Sequence, residues 1–428
     1  MKNNTQKLDY KWVIVALSFL MVLTCLGFCS SGKALYTVAI TDALGIKRSA
    51  FSINDSCRFV STAVINMFFG TLIARFGTKK LIGAGFICLI SSCLIYSAAT
   101  HIFVFCIGGV LLGLGLSWTT TTMVGSIINK WCAENKGTIM GAVLAANGIG
   151  GAIATQIVTP IIYEEGNPFG YQTAYRLVAL ILLLVGSLVM AFYKENPKGQ
   201  EKSETTVHKK KARGQSWVGV EFSVAIRKPY FYLVLLCIFF TGMTLHGIGG
   251  IATPHLQEVG LDIKFIAGMV SLHSLVLAVF KFLTGFIYDK KGLRITMNLC
   301  LLTGALVMFL LSIVTNTPIG KLLAVIYEIF SSLALPLETI MLPIYANDLF
   351  GQKAFDKILG IFVSVNTAGY ALGAPLANWC YDCFGSYKMA LSAGSVLLIA
   401  IAFAMQIVLS QAYKDKKTIL DSKSLETA

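Results

Sequence analysis

Gly70-Thr-Leu-Ile-Ala-Arg75-Phe-Gly77-Thr-Lys79-Lys80 closes one long apolar run, and Gly285-Phe-Ile-Tyr-Asp289-Lys290-Lys291-Gly292-Leu-Arg294 closes another. The second segment begins 215 residues after the first, about half of the 428-residue chain. A second pair repeats at an offset of 219: Gly141, Asn147 and Gly150 against Gly360, Asn366 and Gly369. The chain therefore reads as two similar halves.

What surrounds these segments is apolar. Hydrophobic residues make up 56% of the chain and charged residues 13%. A soluble domain carries about 25% charged residues, so a soluble enzyme, a disordered chain and a nucleic-acid binder are excluded. The net charge of +14 is assigned to membrane-flanking loops, where basic residues concentrate. Thirty-nine glycines against nine prolines suit membrane helices that approach closely. A β-barrel is excluded because the runs lack a period of two.

A helix needs about 20 apolar residues to cross the hydrocarbon core. Twelve stretches qualify, at 12–38, 49–74, 81–99, 103–128, 137–162, 173–193, 230–255, 264–288, 295–315, 320–347, 358–382 and 387–411. The predicted organisation is an all-α membrane protein. Residues 1–193 form one six-helix half, 194–229 a flexible cytoplasmic linker, 230–411 the second half and 412–428 a cytoplasmic tail. With both termini inside, the inner segments hold 26 of the 35 Lys and Arg residues, which sets the orientation. The first run lacks a small-residue cleavage site, so no cleaved signal is expected. The eleven cysteines show no disulfide framework. The lone Cys380-Tyr381-Asp382-Cys383 reads as apolar usage. No metal cluster or cofactor motif is present in the sequence.

The two glycine-and-basic segments resemble the loop motif of the major facilitator superfamily, found between helices two and three and again between eight and nine. The resemblance covers nearly the whole chain and implies that fold, with Arg75, Gly77, Lys79, Asp289, Gly292 and Arg294 in gating. The first copy has Ala74 where an Asp is usual. The alternative is that these basic residues only set topology. Asn129-Lys-Trp131-Cys-Ala-Glu-Asn-Lys136-Gly137 is similar to the matching stretch of the oxalate–formate antiporter and monocarboxylate transporter families. Ser31-Gly32-Lys33-Ala34-Leu35 resembles the helix-one lysine of the monocarboxylate transporters. Lys281 stands in the place of the arginine that binds carboxylate in both families. A lysine offers a point charge where arginine offers a fork. Leu277 replaces an Asp of the monocarboxylate transporters, and Asn366 replaces a second cation of the oxalate transporter. The resemblance thus implies a monoanion.

An ionised side chain in the hydrocarbon core costs about 2.5–3.5 kcal/mol on insertion scales, so it faces the bundle interior or a cavity. Lys281 is read as the substrate-anion site, against an ion pair with Glu338 or snorkelling to the interface. Lys33 is a second cation toward the outer side. Glu328 and Glu338, about 80° apart on an unbroken helix, are candidate proton carriers, because burial disfavours a charged carboxyl group. The alternative is that one of them neutralises Lys281 or Lys33. Pro336 and Pro343 mark a hinge in the same helix. Asp55 and Arg58 are spaced to pair with each other; Asp55 is also carried as a proton-coupling candidate and Arg58 as a binding one. At the 215-residue offset Arg58 overlays His273, and Asn66 overlays Lys281. His273 could titrate near neutral pH or be simply hydrogen-bonded. Asn147 and Asn366 could bond a substrate or each other. Trp118, which opens a run of four threonines, could wall a cavity or pack between helices, each threonine bonding its own backbone. Tyr36 and Tyr370 are weaker candidates of the same kind.

The expected protein is a multi-pass carrier of the plasma membrane, a bacterial inner membrane. It would move a small organic monocarboxylate by alternating access, with proton symport, acting as a monomer. Its partners are the lipid bilayer, the anion and a proton, with no nucleic acid and no cofactor. An anion exchanger is the alternative. Drug efflux ranks below it, since Gly148-Ile-Gly150-Gly151 lacks the Gly-Pro pair of such antiporters. A membrane sensor signalling through the linker ranks lowest.

Overall fold

The computed structural model describes residues 5–31, 33–46, 51, 53–132, 134–164, 167–195 and 219–426. The chain divides into two compact units, Met1–Thr206 and Val207–Ala428, and nearly all the described structure is helical. The first unit holds α1 (Tyr10–Ser30), α3 (Thr78–Ala98), α4 (Ile102–Trp131), α5 (Lys136–Ile162) and α6 (Gly170–Phe192). Its α2 is a pair, Ile53–Met67 and Phe69–Phe76, bent by 62°. The second unit holds α7 (Pro229–Glu258), α9 (Leu293–Ser312), α10 (Pro318–Glu338), α11 (Phe355–Phe384) and α12 (Lys388–Ile419). Ten of these are long and apolar enough to cross a membrane, and the bent α2 makes an eleventh. The 29-residue α8 (Ile263–Lys291) completes the twelve expected from the sequence. Helices suit this environment because every backbone group is satisfied within the segment. Large side chains such as Phe103, Ile319 and Phe403 stand more than 70% exposed, as a lipid-facing surface requires.

In each half glycines lie where the first and fifth helices approach most closely. In the first, a Cβ on Gly150 of α5 would sit 2.0 Å from the Leu23 carbonyl oxygen of α1, and one on Gly27 would meet Gly150 at 2.6 Å. In the second, a Cβ on Gly369 of α11 would sit 2.2 Å from the Phe239 carbonyl oxygen of α7, and one on Gly247 would meet Gly373 at 2.4 Å. The repeat Gly150/Gly369 thus marks one contact built twice. At both contacts the first helix of the half leaves α geometry for a π segment, Val22–Ser31 in α1 and Met243–Ile248 in α7. Such segments interrupt the regular hydrogen-bond ladder and recur at functional positions.

Four boundaries differ from the sequence reading. The first run stops at Ser31, and a separate helix Lys33–Leu44 follows. The stretch 320–347 is interrupted: Pro336 sits in a 3-10 turn, Leu335–Glu338, and a new helix runs Met341–Phe350. Pro343 falls in the first turn of that helix, where its missing N–H costs nothing, so only Pro336 breaks the backbone. The 80° separation of Glu328 and Glu338 assumed an unbroken helix and does not apply. The expected tail is helical, because α12 continues to Glu426. Finally, residues 219–228 of the linker are packed rather than flexible. Val220 N–H donates to the Phe350 carbonyl at 3.0 Å, and Lys228 pairs with Asp415 at 2.8 Å. Gly219 has φ +87°, and a Cβ there would lie 2.3 Å from that same Phe350 oxygen. The basic block Lys209-Lys210-Lys211 lies outside the described residues.

Candidate functional site

The buried charges of the second half gather around α7, α8 and α10. Lys281 of α8 is 4% exposed. Among the described residues no carboxylate oxygen lies within 4.0 Å of it, and the carboxylate whose field reaches it is Glu338. Glu338, at the foot of α10, is 5% exposed. Its Oε2 lies 3.7 Å from His246 Nδ1 of α7, and the Tyr370 hydroxyl of α11 donates to the carboxylate. The His246 ring stacks on Tyr370 with centroids 4.1 Å apart. The other oxygen, Glu338 Oε1, is buried without a hydrogen-bond partner. A buried carboxylate oxygen left in that state is rare and marks a place for a proton or a ligand.

A second imidazole–carboxylate pair lies nearby on α8 and α10. His273 Nδ1 is 3.3 Å from Glu328 Oε2 and 3.0 Å from the Glu328 carbonyl oxygen. Ser331 and Ser332 hydroxyls stand 3.3 Å and 3.1 Å from the same nitrogen. His273 is therefore a hydrogen-bonded histidine and an acid partner at once. Glu328 and Glu338 each meet an imidazole, where the sequence reading had allowed one of them to neutralise a lysine. His246, His273 and Glu328 line a cavity of about 280 Å³, to which α7, α8, α9 and α10 all contribute. A site for one water takes about 15 Å³ of such space, so a small organic molecule fits.

The other candidates fall elsewhere. Asn366 Nδ2 donates to the Ile238 carbonyl at 3.2 Å, so this amide joins α11 to α7. Asn147 lies half-buried on α5. Asp55 and Arg58 do pair, Oδ1 to Nε at 3.7 Å, and Arg58 also donates to the Ser30 hydroxyl at 3.2 Å. Asn66 Nδ2 bonds the Thr62 carbonyl and the Ser117 hydroxyl. Tyr36 stacks on Tyr175 at 4.1 Å beside a cavity of only about 20 Å³ that Asp55 also lines. Trp118 Nε1 is buried without a partner, while Thr119 and Thr120 bond the Gly115 and Leu116 carbonyls of their own helix. Lys33 opens the helix Lys33–Leu44, and its side chain lies outside the described residues.

The two loop segments fold alike. Gly77 and Gly292 both take φ +81°, each ending one helix and starting the next. Such a φ suits glycine. Arg75 lies over the Phe76 ring at 5.4 Å. In the first copy an unforeseen residue supplies negative charge: Glu195, just past α6, accepts from Lys79 N–H at 2.9 Å. A carboxylate there satisfies an open donor and faces the positive end of α3. Lys79, Asp289 and Arg294 flank the two turns.

Sequence reasoning passed over His246, Tyr175 and Glu195. The signal for His246 was available: it is one of five histidines and lies inside an otherwise uncharged run. Glu195 is joined to its turn only by the fold.

The sequence model of the Major Facilitator Superfamily matches residues 17–337 and, in a second stretch, 234–426. An uncharacterized MFS-type transporter of Bacillus subtilis, YcxA, is 24% identical over 67% of each chain. Multidrug resistance protein 2 of the same organism is 23% identical over 84% of each. Monocarboxylate transporter 12 of Rattus norvegicus is 20% identical over 66% of this chain and 61% of its own. Among solved structures, the Escherichia coli fucose:proton symporter FucP superposes with a TM-score of 0.72 at 14% identity. That match covers 93% of this chain and 99% of the symporter.

Proposed function

The chain belongs to the Major Facilitator Superfamily, and we propose that it moves a small organic monocarboxylate across the plasma membrane by alternating access, coupled to protons. It is a multi-pass membrane transporter and not an enzyme; the substrate and the coupling are the proposed part. The observation that carries the reading is Lys281, a buried cation with no carboxylate within 4.0 Å among the described residues. A cation kept in that state is expensive, and an incoming carboxylate supplies what it lacks. At 4 Å and an effective dielectric of 20 the attraction is about 4 kcal/mol. One ammonium suits one carboxylate, hence a monoanion.

Glu338 supports the proton. Its field reaches Lys281, and its Oε1 is open. When a substrate carboxylate takes up the positive field of Lys281, Glu338 loses that stabilisation and binds a proton at Oε1. Release of the substrate restores the field and expels the proton. Each protonation step thus favours the substrate step that follows it. Similarity to Bacillus subtilis transporters supports a bacterial inner membrane, and the basic loops support cytoplasmic termini.

Uptake of labelled monocarboxylates into proteoliposomes tests this. Lys281→Ala is expected to abolish uptake while leaving the protein folded. Retained uptake with an unchanged KM overturns the role of Lys281. Liposomes preloaded with unlabelled substrate separate coupling modes: a pH gradient alone drives a symporter, whereas strict dependence on internal anion marks an exchanger.

A further inference from the structure

The cavity between α7, α8, α9 and α10 has a use beyond the anion and the proton. Two of the residues that line it, Gly249 and Gly250, have no packing reason to be glycine. A Cβ on Gly250 would meet nothing within 4 Å, and one on Gly249 nothing closer than 3.8 Å. Neither takes a positive φ. Their neighbour Gly247 is different, because Gly373 presses against it. Glycine is among the poorest helix formers, so two without a packing role weaken α7 where the π segment gives way to the 3-10 turn Gly249–Ile251. What their missing side chains provide is open volume.

The lining shows what that volume suits. Thr253, Tyr327 and Ser331 bring hydroxyls, and His246, His273 and Glu328 bring donors and acceptors. A hydroxyl group both donates and accepts, which matches this mixture. A second carboxylate is disfavoured by Glu328, and an ammonium would meet a carboxylate already engaged by His273. Val307 and Met308 of α9 give an apolar side for carbon. The cavity is linked to the anion site through one residue, His246. His246 borders the cavity and lies 3.7 Å from Glu338, whose field reaches Lys281.

We propose that this cavity is a subsite for the hydroxylated body of the substrate, so that the transported monocarboxylate is a small polyhydroxy acid. The carboxylate end rests on the reading of Lys281 given above; the hydroxylated end rests on the cavity.

Equilibrium binding to the purified full-length protein separates the two. The probes are butyrate, 2,3,4-trihydroxybutyrate and the uncharged polyol xylitol, measured by calorimetry. We expect trihydroxybutyrate to bind at least tenfold tighter than butyrate. Gly250→Leu places an apolar side chain in the cavity from a Cβ that meets nothing within 4 Å and should bring trihydroxybutyrate down to the level of butyrate. Butyrate itself should change less than twofold. Gly250→Ala should give an intermediate loss, and it serves alone if the leucine variant does not fold. Equal binding of the two acids, or equal losses for both in Gly250→Ala, overturns the subsite. If neither acid binds but xylitol does, in a Gly250-sensitive manner, the subsite stands and the monocarboxylate reading falls. If none of the three binds, the polyhydroxy-acid proposal is overturned as well.

Discussion

His246 Nδ1 lies 3.7 Å from Glu338 Oε2, while the second oxygen of that carboxylate is buried and accepts no hydrogen bond. Glu338 is thus held by one oxygen and open at the other. Glu338→Gln keeps the shape and removes the titratable group. The expected result is that exchange of labelled for unlabelled substrate persists, while an imposed pH gradient no longer drives accumulation. Gradient-driven uptake at the original level in this variant would remove Glu338 from the coupling.

His273 and Glu328 form a pair whose carboxylate is 5% exposed. Removing the imidazole leaves a buried acid without its partner. His273→Ala is therefore expected to cost about 1–3 kcal/mol of stability. Adding Glu328→Gln to it should restore part of that loss, since the orphaned charge is gone. Melting temperatures of the four proteins of this cycle give the coupling directly. Strict additivity would show that the pair contributes nothing.

Gly150 and Gly369 mark the same contact in the two halves, with carbonyl oxygens 2.0 and 2.2 Å from where a Cβ would sit. An alanine at either position must push two helices apart, an overpacking cost of about 1–3 kcal/mol. Gly250→Ala, made in open space on α7, should not destabilise the protein. Comparing the three in denaturant or by melting tests whether helix approach, rather than glycine content, holds the bundle.

Glu195 Oε1 accepts from the Lys79 amide at 2.9 Å. Losing a capping acceptor costs about 1 kcal/mol. Glu195→Ala should speed hydrogen exchange at the amides of Thr78–Leu81 and leave the corresponding turn at Gly292 unchanged. Equal protection in variant and native protein would mean that water replaces the carboxylate without loss.

The fold was legible because bilayer thickness sets the length of a helix, and the repeats at Gly77/Gly292 and Gly150/Gly369 report helix contacts directly. The candidate site was legible by charge alone. Lys281, Glu328 and Glu338 stand out in apolar runs, yet their partners do not. The spacing along α10 suggested a fixed angle between the two acids, which the 3-10 turn at Pro336 removed. His246 reaches Glu338 from another helix, and its stacking on Tyr370 comes from a third. Such pairings depend on which faces meet, and no pattern local to one helix encodes that. The linker beyond residue 218 was misjudged for the same reason. Its polar composition suggested flexibility, but the Phe350 carbonyl gives its backbone a partner.

The carboxylate that caps the first glycine-and-basic turn comes from the far end of its half, just after α6. During synthesis α2, the turn and α3 leave the ribosome long before Glu195 does. The start of α3 therefore waits uncapped while three further helices, α4, α5 and α6, are made and inserted. A residue that follows the sixth helix closes the turn between α2 and α3. Completion of six-helix insertion is thereby written into a single hydrogen bond, and a chain truncated before Glu195 lacks it.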